Sequence, residues 1–271
     1  MTKNIMHAKK SLGQHFLRCG WVTAEMIKAA EISDQDIVIE VGPGTGALTK
    51  SISKRAKKVI AIEKDETLAK ELRENFKKEG VKNVEIIEGD ILKLLSSDYS
   101  LPATHYKLVA NIPYYLTSHL LKILLETKYP PHDIVLTVQK EVAERIAARS
   151  PRMNLLAIAV QAYGTPKIIR KVPSDCFWPK PAVESAIIKI SGISSEFFKK
   201  NRLDKAKFFE LVRLGFSQKR KVLSNPLKKL FPKKLVTDAL ISLGLSPQAR
   251  AEELSLDDWA KLIRTLDKKS R

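Results

Sequence analysis

Short apolar runs alternate with helix-length stretches from residue 37 to about residue 190, and this rhythm restricts the fold more than any other feature of the chain. Ile37-Val38-Ile39-Glu40-Val41 reads as a strand, residues 47–55 as a helix, 59–63 as a second strand, 66–79 as a charged helix and 84–87 as a third strand. Strands at 107–110 and 134–138 follow, with a helix at 118–125 between them. Such alternation predicts a mostly parallel sheet with helices on both faces. Residues 167–172 and 185–190 are also strand-like. They flank Phe177-Trp178-Pro179-Lys180-Pro181 and are expected to pair as a closing antiparallel hairpin with a long loop.

Ligands of open α/β sheets bind beyond the carboxyl ends of the strands, so the residues there carry the functional reading. Glu40-Val41-Gly42-Pro43-Gly44-Thr45-Gly46 follows the first strand, and its glycines permit a sharp turn and a close approach to a ligand. Glu63 ends the second strand, 17 residues after Gly46, where a carboxylate accepts from both ribose hydroxyls. Asp90 ends the third and suits an adenine amino group. Asn111-Ile112-Pro113-Tyr114 ends the fourth. Pro113 fixes its own φ and biases Ile112 toward an extended conformation. The Asn111 side chain and the Ile112 carbonyl then give an exocyclic amine two acceptors, and Tyr114 gives its base a stacking face. Each feature has a plainer alternative: a surface charge at Glu63, a helix N-cap at Asp90, an ordinary proline turn after Ala110. The glycine loop and Glu63 fit NAD as well as S-adenosylmethionine, but the Asn-Ile-Pro-Tyr corner argues for methyl rather than hydride transfer.

Charge narrows the partner. Across 271 residues, 48 Lys+Arg face 30 Asp+Glu, a net +18 that favours a polyanion, nucleic acid first and an anionic membrane surface second. Composition shifts near Ser191-Gly192. The 79 residues beyond read as helices and hold 19 Lys+Arg against 9 Asp+Glu, or +10. Within them, Lys219-Arg220-Lys221 and Lys228-Lys229 are candidate phosphate contacts, as are Lys9 and Lys10. Ser255-Leu256-Asp257-Asp258 reads as a capping box opening the last helix. Cys19 and Cys176 support neither a disulfide framework nor a zinc site, and the five histidines have no metal-ligand spacing. No apolar run approaches the roughly 18 residues of a membrane span, and residues 1–10 have no secretory h-region.

Several segments together carry a resemblance over nearly the whole chain. Lys10 to Leu17, the glycine loop, Gly89-Asp90-Ile91-Leu92, Asn111 to Tyr114, Gln139-Lys140-Glu141, Phe177 to Ser185, Phe216 to Lys221 and Ser246 to Glu252 resemble the ribosomal RNA adenine dimethyltransferases. The tail motifs resemble the small-subunit enzymes more than the large-subunit enzymes of macrolide resistance. The resemblance implies a Rossmann-like class I S-adenosylmethionine-dependent methyltransferase domain at 1–192 and a small helical, basic RNA-binding domain at 193–271. It implies that His15 and Leu17 close over the cofactor, that Gly42, Gly44, Glu63, Asp90 and Asn111 contact it, and that Phe177 stacks on the base opposite Tyr114. His15 stands where the family more often has Asn, and Trp178 is given no role.

The implied reaction is dimethylation at N6 of two adjacent adenosines in a hairpin near the 3′ end of small-subunit (16S) rRNA. The expected substrate is an immature 30S particle, the product S-adenosylhomocysteine, and the enzyme a cytoplasmic monomer without metal or membrane. The target base must be unstacked to enter, and transfer is helped mainly by positioning. Two alternatives stay open: a large-subunit rRNA adenine methyltransferase, and a noncatalytic assembly factor on the same fold.

Overall fold

In a computed structural model of the chain, residues 9, 12–96 and 105–269 are described. The chain divides into two compact units, Met1–Ala143 with Thr165–Ile193, and Glu144–Gly164 with Ser194–Arg271.

The first unit runs β1 (Phe16–Leu17), α1 (Gly20–Ala30), β2 (Ile37–Val41), α2 (Ala47–Ser53), β3 (Lys58–Glu63), α3 (Glu66–Lys78), β4 (Val84–Glu88), α4 (Ile91–Ser96), β5 (Tyr106–Asn111), α5 (Thr117–Glu126) and β6 (Asp133–Gln139). After α6 (Lys140–Ile146) and α7 (Leu155–Gln161) it resumes with β7 (Thr165–Val172), β8 (Phe177–Trp178) and β9 (Ser185–Ser191). Seven strands form one sheet in the order β4-β3-β2-β5-β6-β9-β7. The pairs from β4 to β6 are parallel, and β9 runs antiparallel to both β6 and β7. The expected hairpin is therefore β7–β9. The chain builds outward from β2 through β3 to β4, then crosses to β5 and β6. That reversal opens a crevice at the carboxyl ends of β2 and β5.

β2, β3, β5 and β6 read as apolar runs because both their faces are covered: Val38, Ile39, Val59, Leu108, Val109 and Ile134 to Leu136 are fully buried. Helix α1, absent from the strand–helix pattern read from sequence, covers one face with Val22, Met26, Ile27 and Ala30 at helical spacing. The Thr137 hydroxyl, inside this layer, donates to the Met26 sulfur at 3.2 Å. Replacing Met26 by Ala would open a cavity costing about 2–5 kcal/mol.

The two cysteines depart from the sequence expectation. Cys19 and Cys176, 157 residues apart, are joined by a disulfide. β1 pairs antiparallel with β8, setting Leu17 opposite Phe177, and the Arg18 N–H donates to the Cys176 carbonyl at 2.8 Å. This pairing brings the residue before α1 against the residue before β8. No local pattern announces it.

The second unit takes in residues 144–164 as well as the tail, so the division falls at 193/194 and includes an excursion that a single cut at 192/193 omits. Its chain continues through α8 (Glu196–Asn201), α9 (Lys205–Phe216), α10 (Ser224–Leu227), α11 (Lys233–Ser242) and α12 (Leu256–Lys269). The excursion belongs there because Tyr163 packs against Phe198 and Phe209 at centroid distances of 5.2 and 6.1 Å. The Ser255–Asp258 capping box is formed: Asp258 N–H donates to Ser255 Oγ at 3.1 Å, and Ser255 N–H to Asp258 Oδ2 at 3.0 Å.

Candidate active site

The crevice holds a cavity in the first unit. Its walls come from the segment around β1 (Leu12 to Leu17 except Gly13), the glycine loop, and the carboxyl ends of β3, β4 and β5. Leu17, Gly42, Gly44, Glu63, Asp90 and Asn111 all line it, as does His15.

The glycine loop turns through left-handed backbone, with Gly44 at φ +58° and Gly46 at φ +79°. A β-carbon on Gly44 would lie 2.9 Å from the Phe16 ring, and one on Gly46 2.6 Å from Leu72 of α3. The loop thus fits closely between the β1 segment and a helix, and only glycine permits it.

Glu63 is 5% exposed. Its Oε2 accepts from the Gly44 N–H at 3.1 Å and its Oε1 from the Asp65 N–H at 2.9 Å. Burial raises its pKa, and those N–H groups oppose the rise. Asp90 serves two ends. Its Oδ1 caps α4 through the Leu92 N–H at 3.0 Å, and its Oδ2 pairs with Lys64 at 2.9 Å. Burial would raise its pKa, but the Lys64 hydrogen bond, the Leu92 N–H and nearby positive charge outweigh it, so the net shift is downward. Asn111 ends β5 and donates its amide N–H to the His15 carbonyl at 2.9 Å. That bond orients the side chain and leaves its carbonyl oxygen as the available acceptor. Ile112 also lines the cavity.

Two expected residues sit elsewhere. Phe177 does not reach the cavity: it is 2% exposed and built into the cluster with Val22, Met26, Val109 and Ile187, because its pairing with Leu17 turns it into the core. The anchoring role fits it in this structure, not a stacking face. Tyr114 is also outside the cavity lining. Its hydroxyl shares a hydrogen bond with Ser185 Oγ at 2.7 Å, and one face is covered by the His15 ring at 5.6 Å between centroids. His15 is held by Nδ1 against the Pro179 carbonyl at 2.7 Å. Lys9 pairs with Asp65 at 2.9 Å, which occupies it locally, and Lys10 lies outside the described residues. Lys219, Arg220 and Lys221 are all exposed in the turn after α9, in the second unit.

One wall residue went unassigned from sequence. Glu40, in β2, lines the cavity at 1% exposure. Its Oε2 has no hydrogen-bond partner. Burial, with the Glu63 charge adding to it, pushes the Glu40 carboxyl up to about 8 against the influence of the nearby Thr49 hydroxyl. The signal was an acid inside an otherwise apolar strand, next to the glycine turn. A cavity with apolar walls at Ile62, Ile91 and Leu116 and acids at Glu40, Glu63 and Asp90 suits a flat, ribose-bearing molecule that also carries positive charge. S-adenosylmethionine meets that description, and an orphaned buried carboxyl oxygen is what a cationic ligand would satisfy.

A mostly parallel sheet with a central crossover, a glycine turn after its first strand, acids at the next two strand ends and an Asn-Ile-Pro-Tyr corner at the fourth defines a Rossmann-like methyltransferase. Comparison with known proteins narrows the class. The family model for ribosomal RNA adenine dimethylase matches residues 5–268. The chain is 42% identical over 259 residues, 95% of its length and 88% of the relative's, to "Ribosomal RNA small subunit methyltransferase A" of Dehalococcoides mccartyi. Its fold is similar to a dimethyladenosine transferase from Plasmodium falciparum (TM-score 0.81, 30% identity, 94% and 98% of the two chains) and to the 23S rRNA methyltransferase ErmE (TM-score 0.76, 27%, 93% and 99%). The chain belongs to the ribosomal RNA adenine dimethylase family, whose members are S-adenosylmethionine-dependent methyltransferases.

Proposed function

We propose that the chain places two methyl groups on N6 of each of two adjacent adenosines in a hairpin near the 3′ end of 16S rRNA, with S-adenosylmethionine as donor and S-adenosylhomocysteine as product. The observation that carries this reading is Asn111. It stands on the cavity wall with its amide nitrogen held by the His15 carbonyl, so its oxygen is free to accept from an amine. The Ile112 carbonyl is the second acceptor. Together they draw on both N–H groups of the adenine amine and favour a more tetrahedral nitrogen with an exposed lone pair. Bound S-adenosylmethionine supplies an electrophilic methyl on a sulfonium. Glu63 accepts from the ribose hydroxyls, and Asp90 from the cofactor's adenine amine. Tyr114 gives the target base its aromatic face, exchanging the His15 ring for the base. Holding the amine against the methyl carbon is the main catalytic contribution.

Small-subunit RNA is favoured over large-subunit RNA by the higher identity to the small-subunit relative than to ErmE, 42% against 27%. The second unit docks the RNA through Lys219, Arg220 and Lys221, with an immature 30S particle as substrate and the enzyme acting as a cytoplasmic monomer. No helix among the described residues is long and apolar enough to cross a membrane. The test is nucleoside mass spectrometry after incubation with immature small subunits. Dimethyladenosine in the 3′ hairpin is expected. Monomethyladenosine alone would overturn the dimethylation, and label confined to large-subunit RNA would establish the other reading.

A further inference from the structure

The second unit carries a basic cleft remote in sequence from Lys219-Arg220-Lys221. It is lined by Lys200 and Arg202 at the end of α8 and by Arg264, Asp267 and Lys268 on α12. All four cations are exposed. None forms an ion pair or hydrogen bond through its side chain among the described residues. The one acid, Asp267, is already engaged by Lys207 at 2.6 Å.

Two physical features set the cluster apart from an ordinary solvated face. Arg264 and Lys268 are four apart on α12, where like charges repel, and Lys200 and Arg202 face the same cleft. Cations near helix C-termini do complement the helix dipole, but that effect does not require four of them in one place. Arg202 also sits in left-handed backbone, at φ 52° and ψ 47°, as the C-cap of α8. Glycine or asparagine is the usual residue there. Only one other non-glycine residue among those described, Glu31, has positive φ. Arg202 thus occupies backbone that glycine would adopt at lower cost.

We infer that this cleft is a second RNA-docking site, which grips the phosphodiester backbone of a double-stranded rRNA segment. The inference rests on the reading of the chain as an rRNA methyltransferase. Phosphate is the ligand that four converging donors without local partners would neutralise. Guanidinium groups at Arg202 and Arg264 suit its oxygens bidentately, and lysines at 200 and 268 extend the positive field along the strand. A backbone contact of this kind fixes position without reading sequence.

The test compares the full chain with the variant K200Q/R202G/R264Q/K268Q. The probes are a short RNA duplex and inorganic phosphate, each titrated across a salt series. The R202G change removes the charge while relieving the left-handed strain. The variant should therefore keep or raise its Tm, and its S-adenosylmethionine affinity should not move. Duplex affinity should fall at least tenfold, and the salt slope should flatten by about 0.7–0.9 for each phosphate no longer neutralised, or about 3 for all four. Equal affinity and slope in a folded variant would overturn the site. Loss of inorganic phosphate binding with intact duplex binding would reduce it to a free-anion site and also overturn it. If the fourfold variant melts early, R264Q/K268Q alone decides, because both side chains lie on the exposed face of α12. Wild-type chain that methylates RNA while the variant binds equally well would remove this inference only. Wild-type chain that neither binds nor methylates RNA would remove the functional reading beneath it.

Discussion

The two units place charge in opposite ways. In the first, acids are drawn inward: Glu40 is 1% exposed and Glu63 5%, and Glu63 is fixed by two backbone N–H groups while Glu40 stays short of partners. In the second, cations point outward: Lys200, Arg202, Lys219, Arg220, Lys221 and Arg264 are all exposed. Buried polar groups are costly unless satisfied, so the first arrangement is best stabilised around a defined ligand. Solvated lysines and arginines cost little and act through a field that salt screens. In the function proposed for the chain, selectivity for a small molecule and attachment to a large polyanion would draw on different physics.

That division is open to direct attack. The largest effect is expected at Asn111. Asn111→Ala should cut methyl transfer at least about a hundredfold, as expected when a positioning hydrogen bond is removed, while RNA affinity and Tm hold. Equal reductions in RNA binding and transfer would break the separation of roles. Glu63→Ala comes next. Hydrogen bonds to a charged group contribute about 1.5–3 kcal/mol each, so calorimetry should find S-adenosylmethionine binding weakened at least roughly tenfold and RNA binding unchanged.

Replacing Lys219, Arg220 and Lys221 together by Ala should produce the converse. RNA binding should weaken several-fold and its salt slope flatten by about 0.7–0.9 for every phosphate these side chains had neutralised, with cofactor affinity intact. An unchanged slope would return these three to a solvated face.

The smallest effect is a pH profile. Burial holds the Glu40 carboxyl protonated in the fold up to about pH 8, against an ordinary carboxyl value of 4.5. Because the folded pKa is the higher one, the associated stability is full below the unfolded value and is lost as pH rises through about 8. The Tm of the cofactor-free protein should therefore decline across that window, and more steeply than that of Glu40→Gln. Parallel curves would mean that Glu40 does not titrate this way.

What was legible in the sequence was what local pattern encodes. Strands buried on both faces become apolar runs, and polar residues at their ends mark where the apolar requirement stops, which is how Glu63, Asp90 and Asn111 come to notice. Asp90 does act as the cap of α4 through one oxygen, while its other oxygen pairs with Lys64. Helix α1 went unread although Val22, Met26 and Ala30 keep its spacing, because Cys19 stands at its N-cap without a side-chain cap bond and Glu31, not glycine, at its C-cap. Beyond the β7–β9 hairpin, the long-range pairing of β1 with β8 left no trace. The family resemblance implied a stacking role for Phe177, but its burial is decided by pairing with Leu17 across 160 positions. Residues 144–164 join the second unit for the same kind of reason, through Tyr163 and the phenylalanines of α8 and α9.

The bond between Cys19 and Cys176 gives the molecule an unusual mechanical anatomy. It closes a ring that contains β2 through β7, since 157 positions separate its ends. Tension applied at the two termini would bypass that ring: the force would pass through the sulfurs, and most of the sheet would bear no load. A stretched chain spans about 3.3–3.6 Å per residue, so opening the bond should release roughly 500–570 Å of hidden length. In a reducing cytoplasm, where such bonds are rare, the same sheet would become load-bearing from end to end. One redox event would thus change how the polypeptide meets a pulling machine such as an unfoldase, without altering a residue of the cavity.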